Sequence, residues 1–193
     1  MRAPTLSATR VRRALATFPR ARVLVVGDLI LDEFIWGQVS RISPEAPVPV
    51  VEVSSRSSMP GGAANVARNV RSLGGQVFVA GVVGEDRAGQ TLVDELRQLR
   101  IQVDGVFVDP SRPTTIKTRV IAHRQQVVRV DTEAQAPISR PLAVRLLGAV
   151  RARMAQVDAV IIEDYGKGVV SRWLLQEIVP LARRHRCAIL VDP

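Results

Sequence analysis

Several things are scarce in this chain, and each scarcity narrows the reading. There is one cysteine, Cys187, so no internal disulfide can form; its place in an apolar strand pattern marks a buried structural thiol. No apolar run approaches the ~20 residues that a membrane-spanning helix needs. Met1 to Arg22 is basic and Ala-rich but lacks an apolar core followed by a small-residue cleavage site. No signal peptide is expected, and a cytoplasmic location is. Aromatic residues make up 4% of the 193 positions, too few to stack with bases along a nucleic-acid track. Lysine is nearly missing: of 27 basic residues only Lys117 and Lys167 are lysines. The net charge of +9 is therefore an arginine excess scattered over every segment, and it argues against a nucleic-acid partner rather than for one. A general arginine bias explains it without function, while anionic small substrates remain compatible with it. Internal repeats and low-complexity tracts are both lacking.

What is present is an apolar content of 47% in 193 residues, enough for one domain with a substantial core. Residues 4–20 read as a short amphipathic helix with Leu6, Val11, Leu15 and Phe18 on its apolar side. Val23 to Asp28 is a compact apolar run that suits a strand buried on both faces. Phe34 to Val39 and Val48 to Val53 read as short strands flanking Arg41-Ile42-Ser43-Pro44-Glu45-Ala46-Pro47, where prolines force an extended, edge-type path. A helix over 63–73 stops at Gly74-Gly75. Strand 76–83, closed by Gly84-Glu85-Asp86, and amphipathic helix 88–100 follow. Residues 103–108, 114–122 and 126–130 have the alternation of strands. Ser139 caps a helix reaching about Ala155, with Pro141 in its first turn. Strand 158–163, helix 171–185 and strand 188–191 complete the alternation, which predicts a doubly wound α/β sheet. The segments near 34–53 and 114–130 fit a small second sheet.

The residues with chemistry cluster where parallel strands end. Asp28 and Asp32 follow the first strand. Pro60-Gly61-Gly62-Ala63-Ala64-Asn65 brings two glycines to the start of a helix, where the first amides lack partners and the backbone can be approached closely. Asn65 can both donate and accept, as a sugar hydroxyl requires. Asp164-Tyr165-Gly166-Lys167-Gly168 follows strand 158–163, and Asp192 follows the last strand. In a parallel sheet all these loops emerge at one edge, where ligands of such sheets bind. Each residue also has an ordinary reading. Gly61-Gly62 is a tight turn; Asp28 is a turn former and cap; Asp164 and Lys167 pair with each other; Lys117 blunts a strand edge. Asp32 stands among Ile30, Leu31, Phe34 and Ile35, and a carboxylate so placed needs a partner. A dinucleotide-binding oxidoreductase is disfavoured, because Gly27-Asp28-Leu29-Ile30 lacks the Gly-x-Gly-x-x-Gly that must follow the first strand.

Taken together, Gly27-Asp28-Leu29-Ile30-Leu31-Asp32, the 41–51 segment, Gly61-Gly62-Ala63-Ala64-Asn65-Val66-Ala67 and Asp164-Tyr165-Gly166-Lys167-Gly168 resemble the ribokinase-like (PfkB) carbohydrate kinases. The resemblance runs from about residue 20 to the end of the chain. Within the family the chain looks most like the D-glycero-β-D-manno-heptose-7-phosphate kinases of lipopolysaccharide heptose synthesis, to which Arg41 to Pro47 points most narrowly. The resemblance implies an α/β/α sandwich with a mainly parallel sheet and a small β-sheet lid formed by about 34–53 and 114–130. It implies that Asp32, Gly61, Gly62 and Asn65 contact sugar hydroxyls and that Asp164 is an acidic sugar contact. It leaves Lys117, Arg119 and Lys167 open as partners of the phosphate already on the substrate. ATP and Mg²⁺ are the expected cofactors, and a homodimer through the lid is the expected protein partner.

The family's Gly-Ala-Gly-Asp segment, which supplies the base and the anion hole for the transferred phosphoryl group, does not occur in these 193 residues. Gly81-Val82-Val83-Gly84-Glu85-Asp86 is a superficial echo in another place. The expectation is thus an incomplete, C-terminally truncated kinase domain that holds the sugar-binding half, lacks most of the ATP-binding portion and is nearly inactive alone. The alternative is a non-catalytic sugar-phosphate-binding or regulatory remnant. The strand ending at Val191 is expected to leave an open sheet edge.

Overall fold

A computed structural model describes residues 7–192. Residues 4–6 of the expected first helix, including Leu6, and Pro193 lie outside the described residues. Ser7 caps α1 (Ala8–Thr17) by accepting from the Arg10 amide, and a single 3-10 turn at Phe18–Arg20 leads into the first strand. No residue of α1 is buried, and Val11 and Leu15 of its expected apolar side are exposed.

Five parallel strands form the main sheet: β1 (Arg22–Gly27), β4 (Gln76–Gly84), β5 (Gln102–Asp109), β8 (Ala159–Glu163) and β9 (Ala188–Asp192), in the order β5-β4-β1-β8-β9. Their apolar runs alternate between two cores. Leu24, Val26, Val160 and Ile162 pack with α4 (Arg140–Met154) and α5 (Arg172–Arg184). Val23, Val25, Val77 and Val79 pack with α2 (Ala63–Ser72) and α3 (Arg87–Gln98) on the other face. Each fully buried side chain of this size contributes about 1.5–3 kcal/mol, so two filled faces account for the sandwich expected from the strand–helix alternation. The helix starts are capped as their sequences suggest, by Asp86 onto Gly89, Ser139 onto Leu142 and Ser171 onto Leu174. Asp86 also accepts from the Thr114 amide and hydroxyl, so the Gly84-Glu85-Asp86 echo is a structural clamp. Cys187 is buried as expected, just before β9, and its thiol donates to the Val157 carbonyl.

The second sheet has the order β3-β2-β6-β7. Here the strands are longer than the sequence pattern suggests. β2 (Leu29–Ile42) and β3 (Pro49–Gly62) are 14 residues each and pair antiparallel throughout, with irregularities at Trp36/Gly37 and Val39/Arg41. The 43–48 segment is the tip of this hairpin, closed by the Ser43 amide on the Val48 carbonyl, rather than an edge path between separate strands. β6 (Thr115–Ala122) lies parallel to β2 and β7 (Gln125–Thr132) antiparallel to β6. The β6–β7 turn places His123 and Arg124 at φ 50° and 66°.

Only Asp28 separates β1 from β2, and α2 begins where β3 ends. The second sheet therefore grows directly from the carboxyl edge of the first. At the opposite flank, β9 is the edge strand, with Leu190 and Val191 exposed. The open edge expected from the sequence is present among the described residues.

Candidate functional site at the carboxyl edge of the main sheet

The hinge between the two sheets is Asp28. Its carboxylate is 1% exposed and accepts three backbone N–H groups, from Tyr165 at 2.9 Å, Lys167 at 3.0 Å and Val169 at 3.2 Å. Its own amide donates to the Glu163 carbonyl at 3.1 Å, and its carbonyl accepts from Ala63 at 3.0 Å. One residue thus ties together the ends of β1 and β8, the 164–168 loop and the first turn of α2. This is the turn-forming reading of Asp28, with every oxygen engaged inside the protein.

Asp32 stands four residues further on, in β2, half-buried with its side chain 20% exposed. Its carboxylate receives Arg119 Nη1 at 2.6 Å from β6. The register pairs Asp32 with Lys117 on one side and Met59 on the other, so Asp32 and Lys117 share a face. Gly61 completes this corner: a Cβ there would overlap Asp32 Oδ2 and lie 2.9 Å from Asp32 Cγ. Gly62 is the N-cap of α2 at φ 53° with no side-chain cap, a left-handed conformation that favours glycine. The first amides of α2 are therefore left without a side-chain partner from the cap position. Asn65 sits half-buried in that first turn. The two glycines do not form a free loop before a helix: both belong to β3, which ends at Gly62, and α2 starts at the next residue, Ala63.

The three cations left open by the sequence are now distinct. Arg119 is engaged with Asp32 and lies 5.5 Å from the Phe34 ring centroid. Lys167 is engaged with Glu133 at 2.7 Å, not with Asp164; Asp164 instead accepts from the Gly166 amide at 3.0 Å. The ammonium of Lys117 lies 5.5 Å from the Tyr165 ring centroid, and among the described residues it makes no ion pair within 4.0 Å. The mutual Asp164–Lys167 pairing considered from sequence is replaced by these separate contacts, with the Lys167 amide donating to Asp28.

A cleft of about 590 Å³ lies on the other side of β2, lined by Leu31, Glu33, Ile35, Arg56, Ser58 and Arg87. Strand alternation puts it opposite Asp32, and neither Gly61 nor Asn65 lines it. The chemistry-bearing corner lies where the two sheets meet. Among the described residues, no three His, Cys, Asp or Glu side chains converge to hold a metal ion.

Residues 20–193 match the family described as pfkB family carbohydrate kinase. The chain belongs to this PfkB family. The bifunctional protein HldE of Helicobacter pylori (strain J99 / ATCC 700824) is 47% identical to this PfkB chain over 172 residues, which are 89% of the chain and 37% of that protein. HldE of Desulfatibacillum aliphaticivorans is 45% identical over 179 residues, covering 93% of the chain and 37% of the relative. The chain thus spans little more than a third of the length of these curated relatives. In three dimensions it resembles a carbohydrate kinase from Agrobacterium tumefaciens, with a TM-score of 0.65, 22% identity and coverage of 89% of this chain and 53% of the other. It also resembles Arabidopsis thaliana ribokinase complexed with ribose and ATP, with a TM-score of 0.63, 13% identity and coverage of 90% of this chain and 53% of the other. The fold of this PfkB protein is ribokinase-like.

Three residues that the sequence reading passed over matter to the corner. Arg112 donates from Nη2 to the carbonyls of Ala134, Ala136 and Lys167 at 2.9, 3.2 and 2.6 Å, pinning the 133–137 crossover to the 164–168 loop. Glu133 holds Lys167; no local pattern marks either residue. Glu163 closes β8 at 2% exposure, with Oε2 lacking a hydrogen-bond partner. Burial, followed by the charge of Asp192, pushes its carboxyl above the ordinary 4.5. Its signal was available: an acid closing the otherwise apolar run Ala159-Val160-Ile161-Ile162.

Proposed function

We propose that this PfkB chain is the sugar-binding part of a kinase that phosphorylates D-glycero-β-D-manno-heptose 7-phosphate in lipopolysaccharide heptose precursor synthesis. ATP, with Mg²⁺, is the phosphoryl donor proposed for the complete enzyme. The observation that carries this reading is the corner in which Asp32 lies over Gly61 beside the uncapped first turn of α2. A carboxylate, the α2 amides beyond Ala63 that receive no side-chain cap and the Asn65 amide supply acceptors and donors at one place, the pattern a polyol needs. The Arg41 to Pro47 segment supports the heptose branch.

In this reading Asp32 and Asn65 hold sugar hydroxyls, and the backbone of Gly61 and Gly62 is approached by the sugar itself. Arg119 orients Asp32. Lys117, the cation with no internal ion pair among the described residues, meets the 7-phosphate as a point charge. Asp164 reaches the sugar from the rim of its loop, while Lys167 shapes that loop through Glu133. The lid tip at 43–48 lies about 30 Å along β2 from Asp32, too far to touch a sugar held there in the same chain. Its exposed Ile42, Val48 and Val53 support a homodimer in which a second lid packs on the first.

A second reading rests on the sequence itself, which lacks Gly-Ala-Gly-Asp: a non-catalytic protein that binds sugar phosphate. Phosphoryl transfer depends on positioning and charge stabilisation of the transferred group, so the 193-residue chain is expected to bind without turnover in either case. Calorimetric titration with heptose 7-phosphate, paired with an ADP-release assay, tests this. Binding without ADP release is expected. No binding of heptose 7-phosphate sinks the substrate assignment, and ADP release coupled to sugar phosphorylation sinks the claim of inactivity.

A further inference from the structure

An ionisable group buried without a partner is costly, and this chain keeps one at the edge where its proposed ligand binds. Glu163 is 2% exposed, with Oε2 unpartnered. Val160 and Ile162 belong to the core under α4 and α5, while Ile161 packs against the α2–α3 core. Strand alternation therefore puts the Glu163 side chain on the α2 face of the sheet. The backbone ties it to the corner in two steps: the Asp28 amide donates to the Glu163 carbonyl at 3.1 Å, and the Ala63 amide to the Asp28 carbonyl at 3.0 Å. Ala63 is the first residue of α2, and Ala63 and Ala64 are fully buried and small. Gly27 is its register neighbour on β1. Gly27, pressed close against Glu163, and the alanines that open α2 have no side-chain donor to give this carboxyl.

The same corner lies open to ligand. Gly62 gives α2 no side-chain cap, so the helix start presents amides where the Glu163 face ends. Asp192, the other register neighbour, is exposed and of like charge. It cannot satisfy Glu163. Tyr165, the next ring along, has its hydroxyl pushed above the ordinary 10.0 by burial first and then by Glu163, which places the two groups in one electrostatic environment. Arg119 and Lys167 are already engaged with Asp32 and Glu133.

We propose that Glu163 is a substrate-binding residue: its free carboxyl oxygen accepts a hydrogen bond from a hydroxyl of the bound polyol, on the α2 side of the site and across from Asp32. The missing partner of the buried carboxyl is the ligand. This deepens the sugar-site reading and rests on it. Two carboxylates, Asp32 on the lid and Glu163 on the sheet, then grip the polyol from different elements, and a ligand without hydroxyls on both sides binds poorly.

The test uses the 193-residue chain, a panel of polyols (heptose 7-phosphate, other sugar phosphates and unphosphorylated sugars) and two variants. Glu163→Met replaces the carboxyl with an apolar side chain of similar volume, and Glu163→Gln keeps a carbonyl acceptor. A buried charge with no partner destabilises the empty protein, so Glu163→Met is expected to melt higher than wild type without ligand. The same variant is expected to bind the polyol at least tenfold more weakly, with Glu163→Gln between the two. A stability gain joined to a binding loss is not produced by a merely structural carboxyl. Unchanged affinity in Glu163→Met overturns the proposal. If that variant fails to fold, unchanged affinity in Glu163→Gln together with an unchanged preference among hydroxyl epimers does so. Wild type binding a different polyol, with loss in Glu163→Met, upholds Glu163 and overturns only the heptose assignment. Wild type binding no polyol at all overturns both.

Discussion

The Asp32 carboxylate occupies the space that a side chain at Gly61 would need. A Cβ built there overlaps Oδ2 and comes within 2.9 Å of Cγ, with Ile30 Cβ at 3.3 Å. The first neighbour to yield is the tip of a side chain, which turns away more easily than backbone. Gly61→Ala is therefore expected to cost only about 1 kcal/mol of stability, the low end for an overpacked site. It is expected to break the Arg119–Asp32 contact and weaken polyol binding by about tenfold or more. Urea unfolding and calorimetric titration of the same preparation read the two effects separately. Equal affinity in the variant would show that Asp32 is not where the sugar binds.

Asp28 gives the opposite balance. Its buried carboxylate satisfies three amides at once, and Asp28→Ala strands all of them. The expected loss is about 3 kcal/mol or more, since each unsatisfied buried group costs roughly 1–3 kcal/mol. Amide hydrogen exchange at Tyr165, Lys167 and Val169 is expected to accelerate well beyond that of β4. Retained protection at those three amides would remove Asp28 as the hinge.

Lys117 and Arg119 are two residues apart on one strand, yet they predict different phenotypes. Lys117→Ala removes a charge with no ion pair among the described residues, and is expected to weaken a sugar phosphate about tenfold while leaving the unphosphorylated sugar within about twofold. Arg119→Ala unpartners Asp32 and is expected to weaken both ligands alike. The check is a two-by-two titration, with and without the phosphate. An equal loss for both ligands in Lys117→Ala would move the phosphate site elsewhere.

The Glu133–Lys167 pair sets an acid-side dependence. Its hydrogen bond to Lys167, aided by Gln135, holds the Glu133 carboxyl below the ordinary 4.5. With the folded-state value depressed, the unfolded chain binds more protons as pH falls. The stabilisation from the pair is present above about 4.5, where the unfolded carboxylate is charged, and is lost as pH drops through that value toward the folded one. Melting temperature measured against pH is expected to fall in this window for wild type and more shallowly for Glu133→Gln. Parallel curves would show that the pair contributes nothing to the acid limb.

The fold was legible where one local signal sufficed. The five main-sheet strands are runs such as Val23-Leu24-Val25-Val26, apolar on both sides because both sides are covered, and the helix from Arg140 announces itself by Ser139 at its start. The second sheet was legible only in outline. β2 and β3 extend through Gly37, Ser54 to Ser58 and Pro60, residues with weak strand preference, because the long antiparallel ladder outweighs local propensity. The β6–β7 turn carries His123 and Arg124 at positive φ without the Asn-Gly that normally marks such a turn. Asp32, Gly61 and Asn65 stood out in the sequence by their places after a strand and at a helix start, and the structure sets Asp32 against Gly61 with Asn65 in the first turn of α2. The partners of Asp28, Lys167 and Asp32 were not, since the residues concerned lie 137 to 141 positions apart for Asp28 and 87 for Asp32.

By itself the sequence determined which elements form, that they stack as a parallel sheet with a second sheet beside it, and that strand ends deliver acids, glycines and an asparagine to one edge. Periodicity, caps and turns are short-range properties, and each is written in a few neighbouring residues. Only the tertiary structure decided which charges are spent and which are free. Arg119 is given to Asp32 and Lys167 to Glu133, Lys117 is left without an ion pair among the described residues, and Glu163 is buried with Oε2 lacking a hydrogen-bond partner. Whether a charge is available depends on distances across the sheets and on the loss of water around it, and neither quantity exists until the chain has folded.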